Sequence, residues 1–204
     1  ARTISPEDPF DEALASMRSL GGPHPPVVVG GGGQSMPTAP ALLGHTRRDA
    51  FRLRSDIGRA PDVATVAEIG QRIPSAIIPL ARAGVDSDHV GVVMATLVDA
   101  LTERLLALAE EAVGPPPAPY AWGSLGSGGR REQAIGTDQD HAIVYADEAV
   151  EHDEQFRRMA AFVVEGLEAA GIPRCDSKVM ASEEGWRGPV TWWRQRIEQW
   201  MDVA

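Results

Sequence analysis

Apolar residues recur along this chain with two periods, and the change between them marks out its elements. Phe10, Leu14 and Met17 lie at helical spacing behind Asp8 and Pro9, which predicts a short amphipathic helix within residues 5–20. Pro25-Pro26-Val27-Val28-Val29 reads as a short strand, and the glycines of 30–33 as a flexible turn. Pro37 and Pro40 argue against a central strand in 34–44, and residues 46–53 begin another helix. Residues 61–113 read as helical. Pro61 and Asp62 open the first piece, Pro74 starts a second, Gly84 ends it, and Asp86 or Ser87 caps a third. The third piece carries the apolar stripe Val90, Val93, Met94, Leu97, Leu101, Leu105 and Leu108. Gly114 and three prolines at 115–117 stop it and form a stiff connector.

The period then shortens. Residues 120–145 read as strand, glycine-serine turn, charged segment and second strand. A helix over 151–170 follows, with Phe156, Met159, Val163, Val164 and Leu167 on one face and Gly171 just past its end. Residues 175–181 predict a short third strand. Pro189 opens a final helix in which Trp193, Ile197 and Trp200 share a face. The pattern is that of an α+β protein: a small mixed β-sheet flanked by helices, with a helical segment upstream.

Composition narrows the class. A formal net charge of −10 in 204 residues argues against nonspecific nucleic-acid binding through a basic surface. Cys175 is the only cysteine, which excludes an intrachain disulfide and a cysteine-based zinc site and fits a reducing cytoplasm. No run of eighteen apolar residues is present, so no membrane span is expected. The first residues lack the basic and apolar regions of a signal peptide. A start at Ala and an end just beyond a Trp-rich helix read as a fragment of a longer protein.

The densest chemistry lies in 120–145, YAWGSLGSGGRREQAIGTDQDHAIVY. A glycine-rich turn brings backbone N–H groups against phosphate oxygens, because no Cβ blocks the approach. Asp138 and Asp140 are two apart, so on a strand both carboxylates share a face. Two convergent carboxylates suit a hard divalent cation that also holds substrate phosphates. A D-x-D pair alone is also a common solvated strand end, and glycine-serine an ordinary hairpin turn. Together they form a phosphate-and-metal constellation in which each part has a job if the ligand is a nucleoside triphosphate with magnesium.

The string Gly126-Ser127-Gly128-Gly129-Arg130-Arg131-Glu132-Gln133, followed by Thr137-Asp138-Gln139-Asp140, resembles the signature GS-x-GR-x-EQ … TDQD. That signature belongs to nucleotidyltransferases related to protein-PII uridylyltransferase, within the DNA polymerase β-like superfamily. The helical segment ending near Arg104, the Pro-rich connector, and Cys175, Val179-Met180-Ala181 and Trp186 resemble the family's flanking regions, so the likeness spans roughly residues 55–203. The resemblance implies that Asp138 and Asp140 are catalytic and hold two Mg²⁺ ions between an NTP and an acceptor hydroxyl. It implies that Gly126 and Ser127 cradle phosphates, that Arg130 adds a charge-assisted phosphate contact, and that Glu132 holds Arg130 or Arg131 in place. The superfamily usually adds a third carboxylate from a neighbouring strand. Asp176 is the candidate, though it also fits a turn, and without it nucleotide binding without transfer becomes credible.

A second resemblance lies at the N-terminus. Asp8-Pro9-Phe10-Asp11-Glu12-Ala13-Leu14, Met17, Pro26-Val27-Val28 and Gly44-His45-Thr46-Arg47-Arg48-Asp49 are similar to a single cystathionine-β-synthase (CBS) repeat. This likeness implies adenosine contacts from Thr46 and Asp49 and pairing with a second repeat, hence a homodimer. Thr-x-x-Asp is equally a helix capping box. The organisation expected is a partial CBS-like α/β repeat over 1–54, a helical segment over 55–114, and a nucleotidyltransferase core over 115–204 lacking its C-terminal part.

The functional expectation is therefore a cytoplasmic, Mg-dependent nucleotidyltransferase in signal transduction. It would move a nucleoside monophosphate from ATP or UTP to an acceptor, by family analogy a protein, under adenine-nucleotide regulation. The alternative is a non-catalytic nucleotide sensor with a degenerate core; a third reading is an interaction module that keeps only the fold. Cys175 reads most simply as a buried apolar residue, and His141 as structural or surface rather than a metal ligand.

Overall fold

The computed structural model describes residues 50–202 and two short strands before them, β1 (Val27–Val29) and β2 (Gly33–Ser35). β1 and β2 pair antiparallel, Val29 opposite Gly33. The helix expected within 5–20, and Thr46 and Asp49 with their proposed adenosine contact, lie outside the described residues.

Four helices come next: α1 through residues 50–59, α2 (Val63–Gly70), α3 (Ile73–Arg82) and α4 (Ser87–Val113). Their ends follow local chemistry. The Asp62 carboxylate accepts from the backbone N–H and the hydroxyl of Thr65, both at 2.8 Å, and caps α2. Asp86 caps α4 by accepting from the Asp88 N–H at 3.0 Å. Pro74 sits in the first turn of α3, where its missing N–H costs no helix bond. Gly114, at φ 104°, stops α4.

The sheet has the order β3-β4-β5. β3 (Tyr120–Ser124) runs antiparallel to β4 (His141–Tyr145), with Ser124 opposite His141 and Tyr120 opposite Tyr145. β5 (Arg187–Pro189) lies parallel to β4 on its other side, Ile143 opposite Arg187. A 3-10 turn (Asp147–His152) and α6 (Asp153–Ala169) make the crossover between β4 and β5 that parallel pairing requires. Between β3 and β4 lies α5 (Gly126–Gly129), a single helical turn where the sequence predicted only a turn. The chain closes with α7 (Val190–Asp202). No helix among the described residues is long and apolar enough to cross a membrane.

The third strand is not where the sequence places it. Residues 175–178 are turns, and β5 lies about ten residues further on. A turn interrupts the extended run. Lys178 N–H bonds back to Cys175 C=O at 3.0 Å, and Lys178 adopts φ 58°, which breaks an extended run. The segment still borders the sheet, since Val179 C=O accepts from His141 N–H at 3.0 Å.

One apolar cluster runs from Leu53 and Ile57 in α1 to Ala181, joining the helical segment to the sheet. Its centre is the packing of α4 on α6, where Leu101, Leu105, Met159 and Val163 are wholly buried. Burying each such side chain stabilises the fold by about 1.5–3 kcal/mol. The two helices approach closely because Gly166 faces Leu105, leaving no room there for a Cβ. On the sheet side the Phe156 ring stacks on Tyr145, 4.5 Å between centroids and 2° from parallel.

Candidate active site

The site forms where β3 ends and β4 begins. Leu125 N–H donates to Asp140 C=O at 2.8 Å, one further rung of the β3–β4 ladder, and the chain then turns into α5. Gly126 adopts φ 52°, and a Cβ added to it would run into the Asp140 carboxylate. Glycine is therefore required there twice, by backbone conformation and by the carboxylate against its Cα. A Cβ on Gly129 would come within 2.6 Å of Ser124 C=O, so a second glycine keeps the turn closed on the strand.

Asp138 and Asp140 precede the first regular residue of β4, but residues 138–141 are extended in effect. Gln139 N–H donates to Pro173 C=O at 2.9 Å and His141 N–H to Val179 C=O at 3.0 Å. Side chains alternate accordingly. Gln139 and His141 point inward and are buried, while Asp138 and Asp140 are half-buried on the opposite side. The Gln139 amide donates to Val164 C=O at 3.2 Å and Ile172 C=O at 2.9 Å, fixing this segment to the end of α6. Its carbonyl faces His141 Nε2 at 3.2 Å, and His141 Nδ1 accepts from Ala181 N–H at 3.0 Å. The imidazole is thus neutral with its proton on Nε2, and burial holds its pKa down to about 4. The Trp122 ring lies against it, 4.4 Å between centroids.

Ligand atoms of Asp138, Asp140 and Cys175 lie within 4.8 Å of one another. The third member is Cys175, not Asp176. The Asp176 side chain is exposed on the turn and is not part of the cluster. Cys175 is buried against Val164 and Met180, and its thiol also reaches the two carboxylates. Burial raises the thiol pKa, and hydrogen bonding to Asp138 and Asp140 adds to this because a thiolate could not donate. Neither Asp138 nor Asp140 forms an ion pair with any described residue. Two convergent carboxylates without a protein cation, held beside a glycine, fit a divalent metal ion.

Arg130 and Glu132 follow α5 directly in the chain. Arg130 Nε donates to Glu132 Oε2 at 2.8 Å, with both side chains largely exposed. Arg131, at φ 59°, turns away and reaches Asp99 of α4 at 3.4 Å. Ser127 C=O accepts from Glu132 N–H at 2.9 Å, which ties the charged segment to the turn.

The enclosed space at the carboxylates is only about 20 Å³, bounded by Ser124, Gly128 and Gln133 among others. A nucleotide would lie over this site on the open surface rather than in a closed chamber. A larger cavity of about 590 Å³ lies between α1 and α4, lined by Arg54, Arg59, Glu103 and Arg104. Size does not make it the site. Arg104 is committed there to Ala60 C=O at 2.7 Å, and the convergent carboxylates are elsewhere.

Sequence reasoning missed Cys175 as a site residue and the anchoring by Gln139. Nothing in the local pattern distinguishes this cysteine from an apolar one. The signal for Gln139 was its place between two aspartates, where an inward amide is needed to hold both carboxylates outward.

A family model described as "Putative nucleotidyltransferase DUF294" matches residues 71–204. No curated protein and no solved structure matches the chain. The matched region is more than half of the chain and contains α5, both carboxylates, Cys175 and β3–β5. On that match, the chain belongs to the DUF294 family of nucleotidyltransferases.

Proposed function

We propose that this protein is a Mg²⁺-dependent nucleotidyltransferase that moves a nucleoside monophosphate from ATP or UTP to a hydroxyl-bearing acceptor. The observation that carries the reading is the convergence of Asp138 and Asp140 beside Gly126, with no cation among the described residues paired to them. The metal, when bound, supplies positive charge to the acceptor hydroxyl and to the departing pyrophosphate. Asp138 and Asp140 would bind it, two ions being the expected number. Gly126 and Ser127 would bring the chain close to the β- and γ-phosphates. Arg130, oriented by Glu132, would add a guanidinium to the phosphate side. Gln139 and His141 position the carboxylates without meeting substrate.

The acceptor, by the resemblance to protein-PII uridylyltransferase, is a protein side chain, and the setting is cytoplasmic signalling. The division into 1–54, 55–114 and 115–204 belongs to the same proposal. So does adenosine binding by Thr46 and Asp49 in a CBS-like repeat, with homodimer formation through it.

A second reading has one observation in its favour: the acidic cluster holds two carboxylates and a thiol rather than three carboxylates. A site without a third carboxylate lacks an evident base for the acceptor and would bind nucleotide without transferring it. Calorimetry with ATP and UTP, with and without Mg²⁺, tests the site. Metal-dependent binding should vanish in the double variant Asp138→Asn, Asp140→Asn; unchanged affinity would overturn the assignment. Pyrophosphate release in the presence of candidate protein acceptors separates transferase from sensor.

A further inference from the structure

We propose that Cys175 Sγ is a third protein ligand to the cation held by Asp138 and Asp140, and that it biases this site toward thiophilic divalent ions. The inference rests on the reading of the two aspartates as cation ligands. It starts from distance. Two ligands on one ion are separated by at most twice the metal–ligand bond, roughly 4.6 Å for bonds near 2.3 Å. The Sγ and the two carboxylate oxygens fall within 4.8 Å of one another, so small side-chain rotations bring all three onto one centre.

The three ligands come from two separate stretches of chain that are fixed to each other. Asp138 and Asp140 flank Gln139, whose backbone N–H and side-chain amide bond to Pro173 and Ile172 C=O, two and three residues before Cys175. After Cys175, the Val179 and Ala181 backbones bond to His141. The sulfur is thus held against the carboxylates from both sides. The Cys175 side chain packs on Val164 and Met180 with its Sγ at the edge of that cluster, within reach of both carboxylates.

Ligand chemistry then sets the preference. Carboxylate oxygens accept Mg²⁺ readily, but a thiolate is a soft donor that favours Zn²⁺ or Cd²⁺ over Mg²⁺. Binding exchanges the S–H bond for a sulfur–metal bond, with the proton released to solvent. A site of two carboxylates and one thiolate leaves further positions for phosphate oxygens and water.

Cadmium titration of the whole chain reads this directly, because Cys175 is the only cysteine and any sulfur-to-cadmium charge-transfer band reports it alone. The expected result is an ultraviolet band saturating with cadmium, absent in Cys175→Ser and in the double variant Asp138→Asn, Asp140→Asn. Cys175→Ser should weaken Cd²⁺ at least ~10-fold and Mg²⁺ far less. Cys175→Asp, which keeps a ligand but changes its hardness, should reverse the preference toward Mg²⁺, and circular dichroism matching that of the wild type in the serine variant excludes a folding defect there. Cadmium bound at the aspartates without a band, or equal losses of Cd²⁺ and Mg²⁺ in Cys175→Ser, would overturn the role of the sulfur and leave the aspartate site standing. A band that survives in the double asparagine variant would also overturn it. Failure of every divalent ion to bind the wild-type chain would instead overturn the aspartate reading itself.

Discussion

The carboxylates at the two ends of β4 have opposite circumstances. Beyond its C-terminal end, Asp153 meets Arg187 in a two-point pair, both contacts at 2.8 Å, and accepts from Tyr145 Oη at 2.9 Å. Arg187 is almost wholly buried and donates also to Ala181 and Ser182 C=O. Burial alone would raise the Asp153 carboxyl; hydrogen bonds from Arg187 and Tyr145, with the guanidinium charge, outweigh it and hold the group below its usual range. At the N-terminal end, Asp138 and Asp140 approach each other and meet a thiol, with no cation among the described residues. The fold neutralises an acid where it needs a joint and leaves two acids unneutralised where it can hold a cation. An acid that the protein itself satisfies reads as architecture; a convergent pair that it does not satisfy reads as a binding site.

The largest effect should come from breaking the satisfied end. Arg187→Ala strands a partly buried Asp153 and frees two carbonyls, and should cost about 3–5 kcal/mol in urea unfolding. The double change Asp138→Asn, Asp140→Asn should alter stability far less, since it breaks no ion pair among the described residues, while divalent-cation binding disappears. If both variants lost stability equally, the distinction between the two ends would fail.

The next effect is a pH dependence that belongs to the unsatisfied end. His141 is buried and neutral, with its pKa lowered to about 4 from 6.5. The unfolded chain therefore binds the extra proton first as pH falls. The stability contribution is complete above pH 6.5, declines below it, and is gone near pH 4, a loss of about 3 kcal/mol at 1.36 kcal/mol per unit. Unfolding free energies measured across that window with a chelator present should fall with this slope, and His141→Gln should flatten it. An unaltered slope in the variant would place the proton uptake elsewhere.

How far the sequence foretold these two ends differs for a physical reason. The helices were legible because caps and stops are local: Asp62, Asp86, Gly84 and Gly114 act on their immediate neighbours. The outward pairing of Asp138 and Asp140 was legible because alternation in an extended chain needs no partner. Cys175 was not, because its place in the cluster depends on a distant stretch of chain meeting it. The third strand was misplaced because apolar residues at 179–181 resemble a strand, while the left-handed turn at Lys178 and the backbone bonds to His141 depend on tertiary packing. The Arg187–Asp153 joint was invisible for the same reason, being separated by 34 residues.

A smaller change tests whether the acid pair depends on the glycine turn. Gly126→Ala asks a Cβ to occupy the place of the Asp140 carboxylate at φ 52°. The left-handed backbone should cost about 1–2 kcal/mol in stability. The more telling outcome is functional, since the Asp140 carboxylate must shift from its place: cation affinity should fall although both carboxylates remain. Full cation affinity in a folded Gly126→Ala variant would show that the turn does not set the spacing of the pair.

The smallest stability effect belongs to an ion pair that superficially resembles Arg187–Asp153. Arg130 and Glu132 meet at the same 2.8 Å, but their side chains are 64% and 59% exposed. Solvent screens such a pair, so Arg130→Ala and Glu132→Ala should each change stability by less than about 1 kcal/mol. On the proposed function their worth would lie in aim rather than cohesion, the guanidinium meeting a phosphate and the glutamate setting its direction. Arg130→Ala should therefore weaken nucleotide triphosphate binding more than cation binding, and Glu132→Ala should do so to a lesser degree. Arg130→Lys keeps the charge but loses the planar fork, so partial recovery is expected. Equal nucleotide affinity in wild type and Arg130→Ala would reduce this pair to surface decoration and leave phosphate recognition to the backbone around Ser127.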